Sequence, residues 1–318
     1  MATEFDLIRK YFSRPTRQTP LGIGDDAALI APANGMALAV SADMLVAGTH
    51  FLPEVNPYHV GWKSLAVNLS DMAAMGALPK WATLAIALPQ ADETWVEQFA
   101  AGFFMCADKY QVDLIGGDTT RGPLTISVQI MGEVRANQVL LRSGAKPGDD
   151  IWVSGKLGDA ALALAALQGR YALSQDELDA CLPAFNTPQP RVELGLLLNM
   201  MVHSAIDISD GLLADLGHIL AASSVGADIS LQYVPCSDIA RSRLHDAEIQ
   251  QMVLAGGDDY ELCFTAPVRN HAEIAKMATL IGVPLTRIGS ITEGPGLTVR
   301  GLDNQIIKIN KPGFDHFA

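Results

Sequence analysis

SAIDISDGLLADL (204–216) reads as a strand, a turn and a helix. Ser204 to Ile208 is short and apolar. Ser209-Asp210 then opens a helix at Leu212, where either side chain can act as an N-cap. Capping does not account for Asp207, which lies two residues ahead of Ser209 and, by strand alternation, on the same side. The pattern is an apolar strand ending in Asp beside Gly or another small residue. It recurs at Gly24-Asp25-Asp26-Ala27, Ser41-Ala42-Asp43, Gly116-Gly117-Asp118-Thr119 and Gly256-Gly257-Asp258-Asp259-Tyr260. Ligands bind at strand ends in α/β folds, and small residues let backbone come close. Each segment alone reads as an ordinary turn. Together they point to one site, because paired acids repel unless a cation or a raised pKa relieves them.

Outward from these segments, helical and strand patterns alternate. Helices are predicted over 4–13, 57–76 and 92–110, the second opened by Asn56-Pro57 and closed at Gly76. A turn leading into a strand is expected within 21–30, and strands over 36–41, 78–88, 112–115 and 124–134. The turn cluster Lys146-Pro147-Gly148-Asp149 then precedes a strand at Ile151-Trp152-Val153-Ser154. Beyond it, helices over 157–169, 190–201, 211–222 and 270–281 alternate with strands over 204–208, 227–231, 260–265 and 285–291. This is an α/β (α+β) protein of two domains, 1–148 and 149–318.

Composition narrows the function. The chain has 318 residues, 49% of them hydrophobic and 18% charged, which fits an ordinary globular protein. Asp+Glu outnumber Lys+Arg by 35 to 22, a net charge of −13 that disfavours nucleic acid as a partner. No apolar run reaches the ~18–20 residues of a spanning helix, and the acids of the first residues do not suit a signal peptide. Cys106, Cys181, Cys236 and Cys263 are scattered without a CxxC pair, as in a reducing compartment. The expectation is a cytoplasmic enzyme with no membrane partner.

The acids suggest which chemistry. Asp71 sits in the C-terminal half of an apolar helix, where the macrodipole disfavours an anion. A buried carboxylate there calls for a salt bridge, with Lys63 or Lys80 as candidates, or a metal. Asn68 lies one turn earlier on the same face. Oxygen ligands without a His/Cys cluster suit Mg²⁺, and scattered carboxylates fit Mg²⁺ arriving with ATP phosphates. The familiar nucleotide motifs are missing. Ser154-Gly155-Lys156-Leu157-Gly158 has Leu where a Walker A needs Ser or Thr, and GIGDDA (22–27) would face two acids toward a pyrophosphate. Arg142 offers a planar fork for phosphate oxygens, or sits on a solvated loop.

GIGDDAA (22–28), SADMLVAGTHF (41–51), AVNLSDMAAMGA (66–77), IGGDTTRG (115–122), RSGAKPGD (142–149), AIDISDGLLADLGHI (205–219), GGDDYELCF (256–264) and KPGFDHF (311–317) occur in that order. Together they resemble the thiamine-monophosphate kinase family, whose fold is that of aminoimidazole ribonucleotide synthetase. The match spans nearly the whole chain. It implies ATP-dependent conversion of thiamine monophosphate to thiamine diphosphate, the final step of its biosynthesis. It also implies a homodimer whose N-terminal sheets pair into a barrel. The N-terminal domain would bind ATP and Mg²⁺ and dimerise; the C-terminal domain would complete the nucleotide and substrate cleft. By motif, the resemblance assigns Mg²⁺ to Asp26, Ser41, Ala42 (through its backbone), Asp43, Asp71, Asp118, Asp207 and Asp210. It assigns ATP to Gly117, Asp118, Arg142 and Ser209, and thiamine monophosphate to His50, Asp258 and Phe314. K⁺ is a further possible cofactor. The family often has Thr at position 42, Glu at 258 and Trp or Tyr at 314. The acceptor is already an anion, so no catalytic base or nucleophile is expected on the protein, and Arg142 would stabilise charge. Selenophosphate synthetase, which shares the fold, is disfavoured because no Cys precedes Cys106. The purine-pathway synthetase fits GGDDYEL and GFDHF less well. A non-catalytic homologue would have lost some of these acids.

Overall fold

The structure is a computed structural model that describes residues 3–309, 311–314, 316 and 317. It divides into two compact units. Unit one runs to Met72 and resumes over Ala77–Asn137; unit two comprises Ala73–Gly76 and the chain from Gln138.

Unit one is built from α1 (Glu4–Leu7), β1 (Ala37–Val46), α2 (Pro57–Ala74), β2 (Leu78–Leu88), α3 (Glu93–Tyr110), β3 (Asp113–Arg121) and β4 (Thr125–Val134). The last turn of α2 counts with unit two. Thr3 and Asp6 form a capping box for α1, which runs on into a wider turn over Ile8–Phe12. The sheet order is β1-β4-β2-β3, with only β2 and β3 parallel. Helices α2 and α3 meet almost backbone to backbone. A methyl on Gly61 would lie 2.0 Å from the Phe99 carbonyl, and one on Gly102 1.8 Å from that of Tyr58. Trp95, Phe99 and Phe103 stack along α3, and Phe12 meets Phe99 edge-on.

Two expectations change here. Residues 21–30 form no strand, only the isolated bridges Leu21–Leu29 and Ile23–Asp25. Turn chemistry at Gly24-Asp25-Asp26 prevails over the apolar run. Conversely, the strand expected over 112–115 continues through Gly116-Gly117-Asp118 to Arg121, and β1 continues past Asp43 to Val46. Pairing with β2 and β4 holds these glycines and acids extended despite their weak strand propensity.

Unit two contains β5 (Asp150–Ser154), α4 (Asp159–Leu167), α5 (Gln175–Asn186), α6 (Val192–Leu198), β6 (Ser204–Ile208), α7 (Leu212–Ser223), β7 (Gly226–Ser230), α8 (Asp238–Arg241), α9 (Ala247–Ala255), β8 (Glu261–Ala266), α10 (His271–Ile281), β9 (Leu285–Thr292) and β10 (Gly296–Arg300). Its sheet order is β10-β7-β9-β5-β8-β6, antiparallel except for β10·β7. The neighbouring interior strands β5 and β8 are buried along their whole length. Their apolar side chains join those of α4, α7 and α9 in one core. All four cysteines are buried, and none forms a disulfide. No described helix is long and apolar enough to cross a membrane.

Candidate active site

In unit one, β1 alternates cleanly. Leu38, Val40, Ala42 and Met44 are exposed; Ala39, Ser41 and Asp43 point the other way and are half-buried. Helix α2 meets Ser41 and Asp43. Ser41 Oγ donates to Asp71 Oδ2 at 2.5 Å, and the Asp43 amide donates to Asn68 Oδ1 at 3.2 Å. Asn68 is in turn anchored by its own donation to the Ser64 carbonyl at 3.0 Å. Ser41 and Asp43, on one face of β1, are therefore joined to Asn68 and Asp71 on one face of α2, which brings three assigned residues together. Ala42 projects to the opposite face, so only its backbone can serve that site. Residues 61–70 of α2 are all buried, as expected, but Asp71 is only half-buried and accepts a hydroxyl. Its burial penalty is smaller than the sequence suggests. Lys80, one candidate partner, pairs instead with buried Glu133 at 2.9 Å.

Asp26 and Asp118 face a second feature of unit one. The 23–28 loop and residues 114–119 of β3 line a cavity closed by Ile8, Phe12 and Leu84, opening onto about 610 Å³ of space. The β3 floor is irregular: register with β2 slips at Ala82/Thr83, leaving Ile115 as a bulge. Gly117 must be glycine for the fold itself. Its φ is +154°, and a methyl would sit 1.8 Å from the Leu84 carbonyl. Asp26 and Asp118 are exposed, and Asp25 turns back to accept the Asp26 amide at 2.9 Å.

His50 follows β1 in a turn. Its Nδ1 accepts the Val46 amide at 3.0 Å, which places the proton of the neutral ring on Nε2.

In unit two, Asp207 is buried on β6, and the turn after it is heavily tied. The amides of Ser209, Asp210 and Gly211 all donate to Asp215 Oδ2, at 3.0, 3.1 and 3.1 Å. Burial, with repulsion from Asp210, pushes the Asp215 carboxyl up to about 7, against the pull of those amides. Asp258 has φ +73° and Tyr260 φ +50°, two strained positions around Asp259. Tyr260 Oη donates to Asp258 Oδ1 at 3.0 Å. Asp259 accepts the Gly158 amide at 2.9 Å and is half-buried as a residue. Burial of its carboxyl, reinforced by Glu261, Asp159 and Asp258, pushes it well above the ordinary aspartate value despite that amide. Phe314 is 48% exposed, with His316 edge-on to its ring. Arg142 is exposed on a loop stapled by Ser223, whose Oγ donates to the Arg142 carbonyl and accepts the Gly144 and Ala145 amides.

The sequence reading misses Asp215, Ser223 and Glu261 as supports. Glu261 is held by Arg191 at 2.5 and 2.6 Å and by Ser154 at 2.5 Å; a methyl on Gly155 would lie 1.8 Å from it. Only the neighbouring glycine hinted at that crowding. Among the described residues, no three His, Cys, Asp or Glu side chains are grouped as a ready metal cage. The donors present are oxygens, which fit Mg²⁺ brought in with phosphates.

Residues 24–134 match the family profile of AIR synthase related protein, N-terminal domain, and residues 146–301 that of its C-terminal domain. Thiamine-monophosphate kinase of Escherichia coli K12 is 45% identical over 99% of this chain and 98% of its own. The chain belongs to the thiamine-monophosphate kinase family. A solved thiamine-monophosphate kinase from Stenotrophomonas maltophilia K279a superposes with TM-score 0.85 at 48% identity, covering 91% of this chain and 92% of its own. Another member of the family, AaThiL complexed with AMPPCP and TMP, superposes with TM-score 0.79 at 31% identity, covering 98% and 96%. Both fold units, and not one alone, are thus shared with this family.

Proposed function

We propose that this chain transfers the γ-phosphate of ATP directly to thiamine monophosphate, giving thiamine diphosphate and ADP. The observation that carries the reading is that α2 holds Ser41 and Asp43 on one face of β1, Ser41 through Asp71 and Asp43 through Asn68, so that three oxygen-bearing side chains share one side of unit one. The AaThiL complex with AMPPCP and TMP supports the same pair of ligands here, AMPPCP being a methylene analogue of ATP.

The acceptor is a phosphate monoester, anionic near neutral pH, so it needs alignment rather than deprotonation. Asp26, Ser41, Asp43, Asp71, Asp118, Asp207 and Asp210, with the Ala42 backbone, would hold Mg²⁺. The bound ions would supply charge neutralisation between two polyanions. Gly117, Asp118, Arg142 and Ser209 would hold ATP, with the Arg142 guanidinium opposing phosphate charge. His50, Asp258 and Phe314 would hold thiamine monophosphate, the Phe314 ring against the cationic thiazolium. The 1–148 region would be the nucleotide and dimerisation domain, and 149–318 would complete the cleft. The apolar exposed face of β1, with Val40 at 52% and Met44 at 56% exposed, supports a homodimer closed by paired N-terminal sheets. The reading places the enzyme in the cytoplasm.

The test is direct. Purified protein is incubated with Mg²⁺, ATP and thiamine monophosphate, with free thiamine as control acceptor, and the products are separated chromatographically. Stoichiometric thiamine diphosphate and ADP, with nothing from free thiamine, is the expected result. ATP binding without any thiamine diphosphate would overturn the reading.

A further inference from the structure

The Ser209-Asp210-Gly211 turn is tied on both sides. On one side, three consecutive amides converge on a single oxygen, Asp215 Oδ2, at 3.0–3.1 Å. On the other, its carbonyls accept amides from the two segments assigned to the substrate. The Asp258 amide donates to the Ser209 carbonyl at 2.9 Å, and the Phe314 amide to the Asp210 carbonyl at 3.0 Å. Packing allows little slack. A methyl on Gly257 would lie 2.6 Å from the Ser209 carbonyl, and one on Gly211 within 2.9 Å of the Ala255 backbone. Gly211 also has φ +122°, so the turn cannot relax by becoming ordinary backbone.

Asp215 is buried at 3% exposure in the first turns of α7. A buried carboxylate is costly to keep; the N-terminal end of α7 and the Gly211 amide offset part of that cost, but the Ser209 and Asp210 amides lie outside the helix. Asp215 does fix the orientation of three peptide planes at once. We infer that Asp215 is a positioning residue for both ligands, acting through the Ser209–Gly211 turn. That turn presents Ser209 and Asp210 toward the nucleotide and carries Asp258 and Phe314 toward the acceptor.

The inference rests on the functional reading above, and binding separates the two. Isothermal calorimetry at 25 °C measures AMPPCP with Mg²⁺, and thiamine monophosphate, each titrated alone into wild type and Asp215→Ala, which removes the oxygen that takes all three amides. Circular dichroism checks that both are folded at that temperature. The expected result is a loss of about tenfold or more in affinity for each ligand in the variant. Asp258→Asn, by contrast, should weaken thiamine monophosphate alone. A residue that merely stabilises the fold would lower Tm and leave both affinities at 25 °C unchanged, and that result overturns the inference. Wild type that binds neither ligand overturns the functional reading as well.

Should Asp215→Ala fail to fold, Gly257→Ala gives an independent reading. Its methyl presses on the Ser209 carbonyl from the acceptor-side loop. The shared turn then requires a loss of nucleotide affinity, again about tenfold. Nucleotide affinity within twofold of wild type overturns the proposal.

Discussion

The two units hold their acids in different ways. In unit one, Ser41, Asp43, Asp71 and Asp118 sit on regular elements, two strands and a helix, half-buried or exposed. Ladder pairing and helix packing already fix the backbone beneath them, so each side chain needs only a local partner such as Asn68. In unit two, Ser209, Asp210 and Asp258 sit on turns, which have no ladder to hold them. There the precision comes from side chains spent on backbone amides, Asp215 above all, and from strained positions at Asp258 and Tyr260. The proposed ligands thus sit on rigid elements in one unit and on a cross-braced loop in the other.

That contrast predicts different mutational profiles. Asp118→Asn and Asp71→Asn remove charge from positions whose backbone is held independently. Each should lower kcat by at least about 10³-fold, a loss of roughly 4 kcal/mol of transition-state stabilisation, with Tm within a few degrees of wild type. Steady-state rates beside thermal denaturation check this; turnover within tenfold of wild type in both variants would remove them from the site. A smaller effect is expected in unit two. Phe314→Ala leaves the Phe314 amide on the Asp210 carbonyl and deletes only the ring. It should raise KM for thiamine monophosphate about tenfold, near the ~1–2 kcal/mol of a cation–π contact, and leave KM for ATP within twofold. Equal rises in both would mean that the ring supports the turn rather than the acceptor.

The same contrast explains what was legible in the sequence. Asp43, Asp71 and Asp118 stand out because an acid in an apolar strand or helix breaks a pattern. Periodicity likewise places α2, α3 and β2 nearly to the residue. Two kinds of information were hidden. The strand through Gly116-Gly117-Asp118 exists only because β2 lies beside it, so local propensity ends it too early. The three amides that converge on Asp215 are hidden until the preceding turn folds back onto it. Glu261 reads as a polar residue at a strand start until Arg191, 70 positions away in sequence, closes on it. Long-range partners decide these, and no local pattern carries them.

The smallest effect tests whether the unit-two brace costs stability. The Asp259 carboxyl is raised well above its ordinary value, chiefly by burial. Between the unfolded and folded pKa values, the folded state therefore holds a proton there that the unfolded state has lost. For a group of this sign, stability is greatest below the unfolded pKa and declines as pH rises toward the folded one. Asn at this position keeps an oxygen for the Gly158 amide and has no charge to bury. Asp259→Asn should thus raise Tm at pH 7.5 by a few degrees, at about 2–4 °C per kcal/mol for a unit of this size. The gain should shrink by more than half at pH 5, as wild-type Asp259 regains its advantage. Scanning calorimetry at the two values measures it. A gain that does not change with pH would trace to packing, and a loss of stability at pH 7.5 would show that the ionised carboxylate is itself part of the brace.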